Sequence, residues 1–330
     1  MRTRSRRERS LDAWIAGLAA RDRAIIGEAL TLVESTHPED RARAGALVAA
    51  LHVRPGMGRA LRVGVSGAPG VGKSTLIERL GMMLVARGRR VGVLAIDPTS
   101  QKTGGSILGD KTRMPGLSTA PEAFVRPSPS GAELGGIAAR TREAMVVFEA
   151  AGMDVVIVET VGVGQSEIAV RDLTDTFVLL VLPGAGDELQ GIKRGIMEVA
   201  DVVLVTKADG LMAGAAIRAA TQARHALRLM PRDDGWQVAV LTVSALEGQG
   251  LDVAWEAVER HRMHLEARGD LQARRGRQAV VAFRRLLGEA LDAHVARAFA
   301  AELAALEVEV AAGRVAEDAA ALTALGWVVG

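Results

Sequence analysis

Residues Gly67 to Thr75 read G-A-P-G-V-G-K-S-T, a complete phosphate-cradling loop. The apolar run Leu61-Arg62-Val63-Gly64-Val65-Ser66 precedes it, and Leu76-Ile77-Glu78-Arg79-Leu80, at helical spacing, follows. A loop of this kind works at the turn between a strand and the start of a helix, so it commits the chain around it to an α/β fold. Gly67, Gly70 and Gly72 let backbone N–H groups turn inward around the β- and γ-phosphates, and the positive end of the next helix adds to the attraction. Lys73 supplies a point charge and Ser74 a hydroxyl for a magnesium ion. A plain glycine turn would not need Gly, Lys and Ser together at this spacing. The segment Gly67, Ala68, Pro69, Gly70, Val71, Gly72, Lys73, Ser74 and Thr75 is therefore read as a nucleoside-triphosphate site.

The rest of the chain agrees with that commitment. After Leu61 come short runs rich in β-branched residues: Val91 to Ile96, Ala123 to Arg126, Val155 to Val158, Phe177 to Leu182, Val202 to Val205 and Val238 to Val243. Helical stretches separate them. Near-continuous apolar strands in this rhythm predict a P-loop NTPase parallel sheet with helices on both faces. Before it, Leu11, Trp14, Ile15 and Leu18 fall at helical spacing, as do Ile25, Ala29, Leu32 and Val33, and then Ala44, Leu47, Val48 and Leu51 after the start signal His37-Pro38-Glu39-Asp40. These predict an N-terminal helical extension over residues 1–58, ending at Pro55-Gly56-Met57-Gly58. The nucleotide domain is expected over 59–268, its last helix running from Leu251 to Arg268 before Gly269 and Asp270 break it. Over 269–330, Val280, Phe283, Leu287, Leu291, His294, Ala298, Leu303, Leu306 and Val310 form one long stripe. A helix of that length has more apolar surface than one chain easily covers, so a dimerisation arm and a homodimer are expected. A helix folded back on its own domain would carry the same periodicity.

Composition excludes several function classes. With no cysteine, neither a disulfide framework nor a thiolate metal site can form. The 41 basic and 39 acidic residues are interspersed and leave a net charge of only +2, which is not the footprint of a nucleic-acid binder. No uninterrupted apolar stretch reaches the roughly 18 to 20 residues of a membrane helix, so no membrane partner is expected. The opening M-R-T-R-S-R-R-E-R-S is basic without an apolar face and reads first as a disordered, solvated tail and second as a transit peptide. An Arg- and Ala-rich chain without tyrosine fits a bacterial cytoplasmic protein.

Two more constellations concern the base and the metal. Thr206-Lys207-Ala208-Asp209 follows the strand ending at Val205, where G proteins carry N-K-x-D. An aspartate there accepts from guanine N1 and N2, and the lysine stem can lie across the ring. Thr206 stands in place of the usual asparagine and makes a smaller polar bridge. Ser244-Ala245-Leu246, after the next strand, matches the S-A-x element whose backbone reads the guanine carbonyl. Together, in order and each at a strand end, they point to GTP and GDP. For Mg²⁺, which takes oxygen ligands and keeps several waters, the candidates are Ser74, Asp97, Asp110 and Glu159. Asp97 ends a strand before Pro98, Asp110 closes a glycine-rich run from Thr103, and Glu159 ends the strand Val155 to Val158.

At this point a resemblance becomes specific. The strings Asp97 to Ser100 (D-P-T-S), Thr103 to Met114 (T-G-G-S-I-L-G-D-K-T-R-M), Val158 to Glu167 (V-E-T-V-G-V-G-Q-S-E) and Pro183 to Lys193 (P-G-A-G-D-E-L-Q-G-I-K) are similar to those of the MeaB/MMAA family, also called ArgK. The match covers about residues 60 to 260; the flanking helices fit by arrangement. The resemblance implies a P-loop GTPase that chaperones an adenosylcobalamin-dependent acyl-CoA mutase, gating cofactor loading and removing damaged cofactor. Methylmalonyl-CoA mutase is the expected partner, with ethylmalonyl- and isobutyryl-CoA mutases left open. It also implies a mobile switch over Gly184 to Lys193, with Asp187, Glu188, Gln190 and Lys193 communicating with the partner. Lys73, Asp110 and Lys193 are then the catalytic candidates, Lys193 as a cation brought to the transition state. Gln165 lies three residues beyond Gly162 and reads as a turn or partner contact before it reads as a water-orienting group.

Three other readings compete. A kinase would use the same phosphate loop, but no phosphoacceptor pocket is legible. A nickel-type metallochaperone is disfavoured because there is no cysteine and His261 and His264 form an isolated pair on what reads as a surface helix. A scaffold without hydrolysis would tolerate Lys73→Ala.

Overall fold

In a computed structural model of the chain, residues 9–97, 114–129, 134–160, 170–184, 194–230, 232 and 234–329 are described. They fall into two compact units, 1–275 and 276–330. In the first, three helices come before the sheet: α1 (Leu11–Ala19), α2 (Arg23–Glu34) and α3 (Pro38–His52). Each starts on a local signal. Ser10 accepts from the Ala13 amide at 3.3 Å, Asp22 accepts from the Ala24 and Ile25 amides at 2.8 and 3.2 Å, and Pro38 opens α3, where its missing N–H costs nothing.

Seven strands follow: β1 (Leu61–Gly67), β2 (Val91–Asp97), β3 (Ala123–Pro129), β4 (Val155–Glu159), β5 (Thr176–Val181), β6 (Val202–Val205) and β7 (Ala239–Thr242). All pair in parallel, in the order β3-β2-β4-β1-β5-β6-β7. The connecting helices are α4 (Lys73–Ala86), α5 (Pro115–Thr119), α6 (Leu134–Ala150), α7 (Arg194–Glu198), α8 (Ala213–Arg228) and α9 (Leu251–Ala267).

The strands carry apolar residues on both of their faces because both faces of the sheet are covered, and their period of two divides the core into two layers. Leu94, Val156, Val158, Phe177, Leu179 and Val203 face a layer built by α1–α3, α6 and α8. Val93, Val155, Ile157, Val178, Leu180 and Leu204 face the other, built by α4, α5 and α9. The N-terminal helices thus share the core layer of the sheet. Arg41 of α3 meets Glu143 of α6 with two bonds of 2.8 and 2.7 Å, and Arg126 of β3 pairs with Glu34 of α2.

The order of the strands decides where a ligand sits. From β1 the chain crosses to β2 and β3 on one side, returns to β4, and then passes to β5, β6 and β7 on the other. The switch point is at the carboxyl end of β1, the usual crevice of an open α/β sheet. The phosphate-loop glycines stand there.

The C-terminal region corrects one expectation. The stripe from Val280 to Val310 is carried by two helices, α10 (Asp270–Ala298) and α11 (Ala300–Ala311). Phe299 leaves helical geometry, at φ −126° and ψ 35°, and its ring lies 5.6 Å from that of Trp327. Trp327 belongs to α12 (Glu317–Val329), which follows a turn at Gly313 and packs on α11. Among the described residues no helix is long and apolar enough to cross a membrane.

Candidate nucleotide-binding site

The phosphate loop is shaped by what its backbone must avoid. At Gly67, the last residue of β1, a β-carbon would stand 2.6 Å from the Leu180 carbonyl oxygen, and at Gly72 φ is +97°, which side chains rarely adopt. Val71 is fully buried and anchors the loop from below. Helix α4 begins immediately after Gly72, so its first amides have no helical partner and point out of the loop. Lys73 curls back over the turn, its Nζ donating to the carbonyls of Gly67 at 2.6 Å and Ala68 at 3.1 Å. The ammonium is thus held beside the turn from which α4 starts, and phosphate oxygens are the ligands that a cation and a helix start of this kind can take.

Beside it the structure brings Ser74 and Glu159 together. The Ser74 hydroxyl donates to Glu159 Oε1 at 2.8 Å, across the gap between the start of α4 and the end of β4. The next residue braces the pair: the Thr160 hydroxyl donates to Ser66 Oγ at 2.9 Å and its amide to the Val65 carbonyl at 3.1 Å. A carboxylate and a hydroxyl at that separation are hard oxygen donors of the type Mg²⁺ takes. Asp97 ends β2 by its backbone, but its side chain lies outside the described residues, and so does Asp110. Among the described residues no group of three or more histidine, cysteine or carboxylate side chains converges as a metal cluster.

The segments expected to read the base meet two strands away. Thr206, buried after β6, donates from its hydroxyl to the Val71 carbonyl at 2.8 Å and so ties this segment to the phosphate loop. Lys207 is exposed and adopts φ +53°, one of two non-glycine residues with positive φ among those described. The Ala208 amide donates to the Val243 carbonyl at 3.1 Å, joining the segment to the end of β7. There Ser244 donates to Asp209 Oδ2 while accepting from the Glu247 amide at 3.1 Å, so the carboxylate of Asp209 is held by a residue of the S-A-x element. The other carboxylate oxygen of Asp209 has no partner among the described residues. Ala245 is half-buried and Leu246 exposed. Gln165, Asp187, Glu188, Gln190 and Lys193 lie outside the described residues.

Sequence reasoning missed a second polar centre at the opposite ends of the strands. Asp175, before β5, and Asp201, before β6, are both 0% exposed. Asp175 accepts from Arg275 at 2.7 and 2.6 Å, from Arg262 at 3.3 Å and from the Arg62 amide at 3.0 Å. Asp201 accepts from Arg232 at 2.9 Å, Arg274 at 3.2 Å and the Phe177 amide at 2.8 Å. Burial alone would raise the Asp175 carboxyl; the Arg275 guanidinium overrides it and holds it below its ordinary value. His261 belongs here too, and this corrects its reading as a surface residue. It is fully buried, with Nδ1 2.8 Å from the Thr176 hydroxyl and Nε2 3.4 Å from Asp201. Burial pushes its pKa down to about 4, Asp201 opposing and Arg274 and Arg232 assisting, so the imidazole is neutral. The contact with Asp201 is therefore not an ion pair. His264 meets the Asp234 carbonyl at 3.0 Å. A cavity of about 510 Å³ opens on the same side, between α8 and the start of β7, floored by Leu227, Met230 and Trp236. None of its lining residues belongs to the nucleotide motifs.

A glycine-rich turn with Lys73 at the end of β1, tied by Thr206 to the paired Asp209 and Ser244 at the ends of β6 and β7, on one rim of a parallel sheet, is the arrangement of a P-loop nucleotide-binding protein. A family model described as "Methylmalonyl Co-A mutase-associated GTPase MeaB" matches residues 26–300, and the chain belongs to that family. It is a GTPase and binds guanine nucleotides. A protein of Mycobacterium tuberculosis named as a probable GTPase is 53% identical over 272 residues, 82% of this chain and 80% of that one. The mitochondrial methylmalonic aciduria type A homolog of Mus musculus is 45% identical over 296 residues, 87% of this chain and 71% of that one. A crystal structure described as that of a LAO/AO transport system kinase superposes with a TM-score of 0.76 at 36% identity, covering 98% of this chain and 99% of its own.

Proposed function

We propose that this GTPase serves an adenosylcobalamin-dependent acyl-CoA mutase, methylmalonyl-CoA mutase before others, as a chaperone that gates cofactor loading and protects or reactivates the enzyme. The observation that carries the reading is the family match over residues 26–300, whose description names the mutase association; the name of the mouse relative supports it. Residues 59–268 form the nucleotide module in this reading, 1–58 its helical cover and 269–330 the arm that joins two copies.

In hydrolysis Lys73 and the loop amides hold the β- and γ-phosphates, and Asp209 and the Ala245 amide hold the base. Ser74 and Glu159, with Asp97 and Asp110, are the proposed magnesium ligands; the ion, when bound, neutralises charge building on the phosphate oxygens. Lys193 is the proposed partner-controlled cation. Intrinsic rates without such a charge are on the order of 10⁻⁴ per second, and a positioned cation adds roughly a thousandfold. GTP turnover by the isolated protein should therefore be slow and should rise when the mutase is added. Lys193→Ala should keep nucleotide affinity and lose most of that rise; equal stimulation of variant and parent would remove Lys193 from the mechanism, and no stimulation of either would remove the mutase.

Likeness to a protein described as a transport system kinase makes phosphoryl transfer to an acceptor the second reading. Phosphate released from GTP with no labelled acceptor decides for hydrolysis.

A further inference from the structure

We propose that Thr206 offers no hydrogen bond to the N7 edge of the bound guanine, making it a determinant of weak base grip and rapid nucleotide exchange. The inference rests on the guanine reading of Asp209 and Ala245. With N1 and N2 on Asp209, O6 on Ala245 and the phosphates at Val71, N7, the acceptor next to O6, is the one turned toward the first residue of the segment 206–209 in this reading.

Among the described residues, both hydrogens that Thr206 itself could offer are committed, and so is the Ala208 amide. The Thr206 hydroxyl has one hydrogen, given to the Val71 carbonyl at 2.8 Å, with the Val181 carbonyl the alternative at 3.4 Å. The Thr206 amide donates to Val181 at 2.9 Å and the Ala208 amide to Val243 at 3.1 Å. N7 is a pure acceptor, so the lone pairs left on the hydroxyl are useless to it. An asparagine carries two amide hydrogens and could keep Val71 with one while offering the other to the base; threonine must choose. Buried against the loop, it stays with Val71, because abandoning that carbonyl would leave a buried acceptor unsatisfied. The fold thus keeps the strut between base loop and phosphate loop and gives up the base contact.

The test compares GDP with 7-deaza-GDP, in which N7 is replaced by C–H, by competition against a fluorescent GDP analogue on the full chain. The parent protein should bind the two within about twofold. Thr206→Asn should bind GDP about three- to tenfold tighter than 7-deaza-GDP, the range of one neutral hydrogen bond, and should release GDP more slowly than the parent by a similar factor. Thr206→Ser, which keeps one hydroxyl, should behave as the parent does. A parent protein that already loses about tenfold on 7-deaza-GDP overturns the proposal, and this arm needs no variant to fold. A folded Thr206→Asn that fails to discriminate overturns it as well. Failure of the parent to bind either nucleotide would strike the guanine reading itself, a distinguishable result.

Discussion

At the scale of single residues the site depends on atoms that cannot be exchanged for near equivalents. Lys73 gives the loop its only side-chain cation, so Lys73→Ala should weaken GTP and GDP by about ten- to a hundredfold, the worth of a charge-assisted bond. Titration of a fluorescent nucleotide checks it, and unchanged affinity would return Lys73 to a structural role. In the proposed reading Asp209, braced by Ser244, accepts from donors that adenine does not present. Asp209→Asn should move preference from guanine toward xanthine nucleotides, whose C2 carbonyl accepts from the new amide; calorimetry with GDP and XDP measures the switch. Gly67 admits no side chain because the Leu180 carbonyl stands in the way, and Gly67→Ala should abolish binding by shifting the loop from β5. These residues were legible as spacing, since the loop motif is local. Their partners were not: that Thr206 spends its hydroxyl on Val71, 135 residues away, follows from where β1 and β6 end.

At the scale of elements the informative feature is the charged seam beneath β5 and β6. Asp175 and Asp201 sit at two strand starts and receive Arg275 and Arg274 from the first turns of α10, with Arg262 of α9 and Arg232 completing the shell. Such pairs are poor sources of net stability but costly to break, because the remaining charge is stranded. Arg275→Ala should therefore cost on the order of 3 kcal/mol and lower the thermal midpoint by several degrees, while a surface change such as Arg260→Ala should leave it unmoved. His261 adds a pH dependence. Its folded pKa of about 4 lies below the ordinary 6.5, so unfolding takes up a proton between those values. Its contribution is complete above about pH 6.5 and is lost as pH falls to about 4, on the order of 3 kcal/mol at most. Denaturant melts across that window should show the loss, and His261→Gln, with no proton to bind, should flatten it. In the sequence these residues look like ordinary surface charges. Only the return of α9 and α10 beneath the strand starts buries them.

At the scale of the whole molecule the question is where the compact unit ends and the arm begins. Breaks at Gly269 and Asp270 place the boundary before α10, but Arg274 and Arg275 are claimed by Asp201 and Asp175, and the compact unit runs to residue 275. A chain cut after residue 275 should stay folded and bind GDP; one cut after residue 272 takes Arg274 from Asp201 and Arg275 from Asp175, leaves each with one guanidinium, and should melt well below it. Beyond 275, Val280, Val281, Phe283, Leu286, Leu287 and Leu291 are 41–63% exposed, apolar area that a second copy would cover. Light scattering should find the full chain dimeric at micromolar concentration and the chain ending at 275 monomeric. A monomeric full-length protein would remove the proposed seam.

What the sequence determined by itself was everything set by neighbours along the chain. The phosphate loop, the seven apolar runs and the three amphipathic stripes before them depend on period and on short spacing, and steric rules act on those directly. Only the tertiary structure decided what depends on strand order. It put β4 beside β1 so that Glu159 meets Ser74, and it set the N-terminal helices on the core face shared by α6 and α8. It broke the long arm at Phe299 and buried Asp175, Asp201 and His261 under the sheet. A charged or polar side chain carries no mark in the sequence of whether water or a guanidinium will meet it, because burial is a property of the neighbours that the fold supplies.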